Sequence, residues 1–228
     1  MTKRKYKKGS HIDDKKVRLI LKYFAMDLTA EAVANLTSIS RPTINKYFLY
    51  FRKAILDYLV AAESKDLSTY EIDESYFGAR RVRGKRGRGA SGKIPVFGLL
   101  KRPGNQVNVQ IVANCSRAEL LPIIKGKIID GSTIYSDGWK AYNNLVLNGY
   151  KHHRIFHHAN EFARGKNHVN GIESFWSFAK RRLSKFNGIR DYYFILHLKE
   201  SEFRWNFKNK NIYKVLTNLI ANFNLKVI

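Results

Sequence analysis

The chain has 228 residues, 42 Lys+Arg against 18 Asp+Glu and a net charge of +24, an excess that sets up strong attraction for a polyanion. A lone cysteine, Cys115, excludes a disulfide framework and a multi-cysteine zinc ribbon and fits a reducing cytoplasm. No apolar run reaches the ~18 residues of a membrane span, and the basic start Met1–Lys8 leads into His11, Asp13 and Asp14 rather than an apolar signal core, so the expectation is no membrane partner.

Residues 1–9 form a basic tail. Asp13 or Asp14 caps a first helix with Val17, Ile20, Leu21 and Phe24 on one face. Thr29 opens a short second helix carrying Ala32, Val33 and Leu36. Ser40 caps a third, with Pro42 tolerated in its first turn and Ile44, Phe48, Phe51 and Ile55 as its stripe. Two short helices, a tight turn and a third helix with polar residues at its start predict an all-α helix-turn-helix domain over 10–61. Arg41, Thr43, Asn45 and Lys46 are its groove-facing candidates. A polar stretch, 62–70, reads as the linker.

From residue 71 the period changes to two. Glu71 to Gly78 alternates as a strand, with Ile72, Glu74 and Tyr76 on one side and Asp73, Ser75 and Phe77 on the other. The loop 78–93 follows, with Arg80, Arg81, Arg83, Lys85, Arg86, Arg88 and Lys93 interleaved with glycines, a composition suited to tracking a phosphate backbone. Further strands are expected at 94–100, 106–114, 133–136 and 154–157, a short helix at 117–129, and helices at 168–186, 191–207 and about 212–221. Strands, a helix, a strand and then helices make an α/β domain with a mixed sheet over 71–228.

Three acids stand out against this basic background. Asp73 lies inside the first strand, Asp137 at the carboxyl end of the fourth, and Glu173 opens a helix. Acids from a strand centre, a strand end and a helix can meet above one sheet, and carboxylates so placed require cations between them. Mg²⁺ suits such oxygen ligands, and two ions together serve in-line phosphoryl displacement. Glu74 and Glu161 are rival ligands, the first expected to face away from Asp73 and the second in a loop. Five of seven histidines fall between His152 and His168, but their spacing matches no common zinc site. Trp139, Trp176 and Trp205 are candidates for base stacking or for the core, and Cys115 for packing.

EIDESYFG with Asp73, IYSDGWKAY with Asp137 and HVNGIESFWSFAKRRL with Glu173 resemble the DDE domain of bacterial insertion-sequence transposases of the ISXO type, over about residues 70–207. The resemblance implies a ribonuclease-H-like fold, with the mixed sheet flanked by helices. It also implies Mg²⁺-dependent DNA cleavage and strand transfer, with two ions held by Asp73, Asp137 and Glu173 and Mn²⁺ as a substitute. Lys180, two turns after Glu173 on one helix face, is then a catalytic phosphate contact, and His168 and Asn170 join the DNA-binding set. The implied partner is double-stranded DNA, transposon ends and target, bound by a homodimer or larger assembly in the cytoplasm on the nucleoid. A DNA-binding regulator without chemistry, a decayed transposase and a structure-specific nuclease of the same fold are the alternatives. Many members of the family begin with a cysteine zinc ribbon, which this chain lacks.

Overall fold

A computed structural model of the chain describes residues 12–78, 93–137, 142, 145–155, 169–186 and 188–222. It divides into two compact units, Met1–Ala62 with Leu183–Ile228, and Glu63–Arg182.

The first unit is helical. Helix α1 spans Asp14–Ala25, and Asp13 caps it by accepting from the Lys16 amide at 2.7 Å. Helix α2 spans Ala30–Thr37, with the Thr29 hydroxyl accepting from the Ala32 amide at 3.2 Å. Ser38, in the left-handed region at φ 55°, turns the chain into α3, Arg41–Ala61. Ser40 precedes α3 without capping it, since its hydroxyl meets that of Thr43 at 2.9 Å. Leu36, expected on the apolar face of α2, is 58% exposed.

The last two helices, α6 (Asp191–Asn206) and α7 (Ile212–Asn222), belong to this unit. They were expected within the second domain. Phe203, Leu216 and Ile220 instead complete a core built on Phe24, Phe48 and Phe51. Buried charges join these helices. Glu200 on α6 accepts from Arg52 on α3 at 2.7 Å and from Arg204 at 2.8 Å. Arg204 in turn donates to the carbonyls of Phe24 and Ala25, at 2.5 and 2.9 Å, which closes the last turn of α1.

The second unit is a five-stranded sheet. Its strands are β1 (Thr69–Phe77), β2 (Ile94–Arg102), β3 (Gln106–Ile111), β4 (Thr133–Asp137) and β5 (Lys151–Ile155), in the order β3-β2-β1-β4-β5. Only β2 runs against its neighbours; β1, β4 and β5 are parallel. This order, with helices on both faces, is the ribonuclease-H-like arrangement. Gly104 and Asn105, both at positive φ, form the turn between β2 and β3.

Strand β1 is central, so its alternate residues face two different layers. Ile72, with Leu99 and Ile134 beside it, packs against Leu120 and Ile124 of α4 (Arg117–Lys127). The opposite face, bearing Glu71 and Asp73, receives α5 (Asn170–Ser184). No helix among the described residues is long and apolar enough to cross a membrane.

Candidate functional site

Asp73 occupies the middle of β1 and Asp137 the last position of β4. The parallel register runs from Thr69↔Thr133 to Glu71↔Tyr135. Continuing that register by two residues puts Asp73 and Asp137 on the same face of neighbouring strands. The Asp73 carboxyl is pushed up to about 6, first by burial and then by the charges of Asp137 and Glu173. Asp73 thus senses an acid from the neighbouring strand and one from a helix. Glu173 is exposed in the first turn of α5. Glu173, Trp176 and Lys180, at steps of three and four, share one face of that helix.

Trp176 orients the strand acid. Its indole N–H donates to Asp73 Oδ2 at 3.0 Å while the ring lies over Gly98, the β2 partner of Asp73. A Cβ at position 98 would stand 2.5 Å from the indole, so only glycine leaves the slot open. The entry of α5 is fixed similarly. Glu71, 2% exposed, accepts from the Ile172 amide at 2.9 Å and from Arg102 at 2.5 Å. A strand carboxylate therefore supplies the cap of the helix that carries Glu173. Gly171 permits this approach, since a Cβ there would meet Glu71 Oε2 at 2.9 Å.

The Lys180 ammonium is held below its ordinary pKa by partial burial and by Lys93, and the Asp73 charge opposes this. Lys180, Lys93 and Asp73 are thus within electrostatic range of one another. Lys180 also lies 5.7 Å from the centre of the Phe77 ring. Glu74 is on the other side of β1, as alternation requires, facing the buried Tyr142 hydroxyl. That hydroxyl makes no hydrogen bond of ordinary geometry among the described residues. Burial first, then Asp73 and Asp137, push the Glu74 carboxyl to about 7. His152 on β5 meets the Ser136 hydroxyl at 2.8 Å and is pushed down to about 4, mainly by burial.

Other candidates are scattered. Arg41, Asn45 and Lys46 are exposed on the first two turns of α3, whereas Thr43 is half-buried and engaged with Ser40. Asn170 is the exposed first residue of α5. Lys93 immediately precedes β2. Arg80, Arg81, Arg83, Lys85, Arg86, Arg88, Trp139, Glu161 and His168 lie outside the described residues. Cys115 is buried and accepts from the Tyr76 hydroxyl at 3.3 Å. Among the described residues, no three His, Cys, Asp or Glu side chains stand close enough to enclose one metal ion. The acids of the sheet are within mutual electrostatic range without closing into a ligand cage.

The sequence singles out Asp73, Asp137 and Glu173 as candidates but gives no sign of the contacts that position Asp73 and the first turn of α5. Glu71 and Gly98 carry no local signal of their partners on α5. The Trp176 indole donates to an acceptor 103 residues away, which its place in the sequence does not announce.

The strand order β3-β2-β1-β4-β5, with helices on both faces, defines a ribonuclease-H-like domain. The ISXO2-like transposase domain matches residues 67–206, and the chain belongs to that family. It is 43% identical over 107 residues to an uncharacterized transposase-like protein of Haemophilus influenzae, a match covering 47% of this chain and 85% of that one. It is 31% identical over 134 residues to an uncharacterized protein in the transposable element ISH50 of Halobacterium salinarum, covering 52% of this chain but only 46% of that protein. Among solved structures, the catalytic core of BIV integrase matches at a TM-score of 0.40 and 10% identity, covering 67% of this chain and 95% of that one. At that score the fold rests on the strand order itself.

Proposed function

We propose that this transposase-family protein binds the ends of an insertion sequence and cuts and rejoins DNA there. Asp73, Asp137 and Glu173 are its catalytic carboxylates in this reading, and Lys180 is a phosphate contact. One observation carries it: in a chain of net charge +24, the Asp73 carboxyl is half-buried under the repulsion of two acids from other elements. The chemistry of this all-oxygen donor set fits hard divalent cations, which relieve the repulsion. Asp73, Asp137 and Glu173 would hold two Mg²⁺, or Mn²⁺ in their place. When bound, these ions activate water or a DNA 3′-hydroxyl and stabilise the leaving oxygen.

The protein's own groups supply position. Trp176 donates to Asp73 Oδ2 and so fixes the orientation of that carboxyl. Glu71 sets the first turn of α5 and thereby the place of Glu173. Lys180, near Asp73, meets a phosphate oxygen of the strand being cut. Arg41, Asn45 and Lys46 on α3 read DNA as part of a helix-turn-helix, joined by the basic loop, His168 and Asn170. Joining two ends calls for a dimer or larger assembly, at work on the nucleoid.

Asp73→Asn, Asp137→Asn and Glu173→Gln each lower cleavage of end-bearing DNA to below about one-thousandth of the native rate, the scale of losing a charge-stabilising group. DNA binding stays nearly intact. Strand transfer of a labelled end into plasmid DNA separates a transposase from a nuclease of the same fold. A variant that nicks at the native rate removes its residue from the site. A protein that binds DNA but never cuts it with Mg²⁺ present is a regulator instead.

A further inference from the structure

The helical unit carries a cavity of about 740 Å³ whose wall contains Arg41, Lys46, Arg52, Lys185 and Arg190 against one acid, Glu31. Two of these cations are committed within the fold, Arg52 to Glu200 and Lys185 to Asp27 at 2.5 Å. Arg41, Lys46 and Arg190 are exposed and have no ion pair among the described residues, so the cavity keeps a net positive charge. The starts of α2, α3 and α6 all reach its wall, and neither α3 nor α6 has a side-chain cap. The first turn of α3 carries no acid, so its amides add positive potential to that of the side chains, whereas Glu31 and Asp191 offset the amides of α2 and α6. A wall so rich in cations suits a polyanion rather than an apolar ligand.

We propose that this cavity is a phosphate-backbone site for double-stranded DNA, in which Arg190, from the segment between α5 and α6, acts together with Arg41 and Lys46. The inference rests on the reading of the protein as a DNA-end binder. It adds Arg190, which neither the basic loop nor the helix-turn-helix pattern indicates, to the α3 residues that the pattern already singles out. Asn45 lies on the same wall, one turn beyond Arg41. Phosphates gripped by Arg190 would therefore set the register of the duplex whose bases α3 meets. The segment joining α5 to α6 becomes part of end recognition.

The test is binding of the full-length protein to a labelled duplex of arbitrary sequence across a salt series. Each lost phosphate contact lowers the log–log salt slope by about 0.9. Arg190→Gln is expected to lower the slope by about one and to weaken binding roughly three- to tenfold at ~0.15 M salt, equally for unrelated sequences. Arg41→Gln with Arg190→Gln doubles the change in slope. Lys22→Gln, which removes an exposed lysine of α1 outside the cavity wall, leaves the slope unchanged. An unchanged thermal midpoint for Arg190→Gln shows that the fold is intact. If Arg190→Gln behaves like Lys22→Gln, the proposal fails. It fails equally if Arg190→Gln weakens inorganic pyrophosphate binding but not duplex binding, which would mark a small-anion site. Cleavage is scored separately: a slope change without any cleavage upholds the cavity and removes the transposase reading, and cleavage without a slope change does the reverse.

Discussion

Acids are buried in both units, but they are treated in opposite ways. In the helical unit, Glu200 lies between two arginines and Glu202 accepts from Lys199 at 2.8 Å, all five side chains buried. In the sheet unit, Glu71 has Arg102 and a helix amide as partners. Two and three residues further along the same strand, Asp73 and Glu74 have no ion pair among the described residues. Both are displaced toward the protonated form. Charges that hold elements together, Glu71 among them, are neutralised on site; Asp73 and Glu74 are left desolvated beside like charge. Such an arrangement opposes folding unless something outside the chain supplies the missing positive charge.

The contrast breaks most visibly at Glu200. Glu200→Ala leaves Arg52 and Arg204 buried without their shared acceptor, and it should cost about 3–5 kcal/mol, the scale of removing one partner of a buried ion pair. Chemical denaturation of the purified protein checks this; a loss below about 1 kcal/mol would mean that the network is not holding α1, α3 and α6 together. A smaller effect belongs to Gly98→Ala. The added methyl forces the indole from its slot and costs about 1–3 kcal/mol by overpacking. It also frees Asp73 from Trp176, so cleavage falls further than the stability loss explains. If cleavage persists at the native rate in the folded variant, Trp176 does not orient Asp73.

These two sites also show what was legible beforehand. The caps at Asp13 and Thr29, the stripe of α3 and the alternation around Asp73 are local patterns, and the folded elements follow them. Strand β5 forms at 151–155 rather than the expected 154–157. KHHRI offers one apolar residue, and its pairing with β4 is a matter of backbone register. Amphipathic stripes on α6 and α7 announce that they are buried but not against what. Arg204 closes a helix end 180 residues away in the chain, and Glu71 caps a helix 101 residues away. Spacing cannot carry such pairings. The candidate acids are singled out by three family-like blocks in order, while the contacts of Gly98 and Glu71 with α5 are visible only in three dimensions.

The smallest expected effect has the opposite sign. A carboxyl with a raised pKa binds its proton more tightly when folded, so the folded state carries more protons than the unfolded chain between the ordinary carboxylate range near ~4 and about 6 for Asp73 or about 7 for Glu74. Stability contributed by these two groups is therefore present at low pH and lost as pH rises through that window. His152, displaced downward, works in the opposite sense below ~6.5, so the Asp73 effect is read as a difference between proteins. In chelator at pH 7.5, Asp73→Asn is expected to be more stable than the native protein by about 1 kcal/mol, a rise of roughly 2–4 °C in the thermal midpoint. The advantage shrinks at pH 5, where the native carboxyl is protonated. Mg²⁺ at pH 7.5 narrows it too, because binding to the folded state stabilises the native protein more than the variant. A variant less stable than the native chain under all these conditions would show that Asp73, like Glu200, is a structural acid, and the distinction between the two sets of buried carboxylates would be lost.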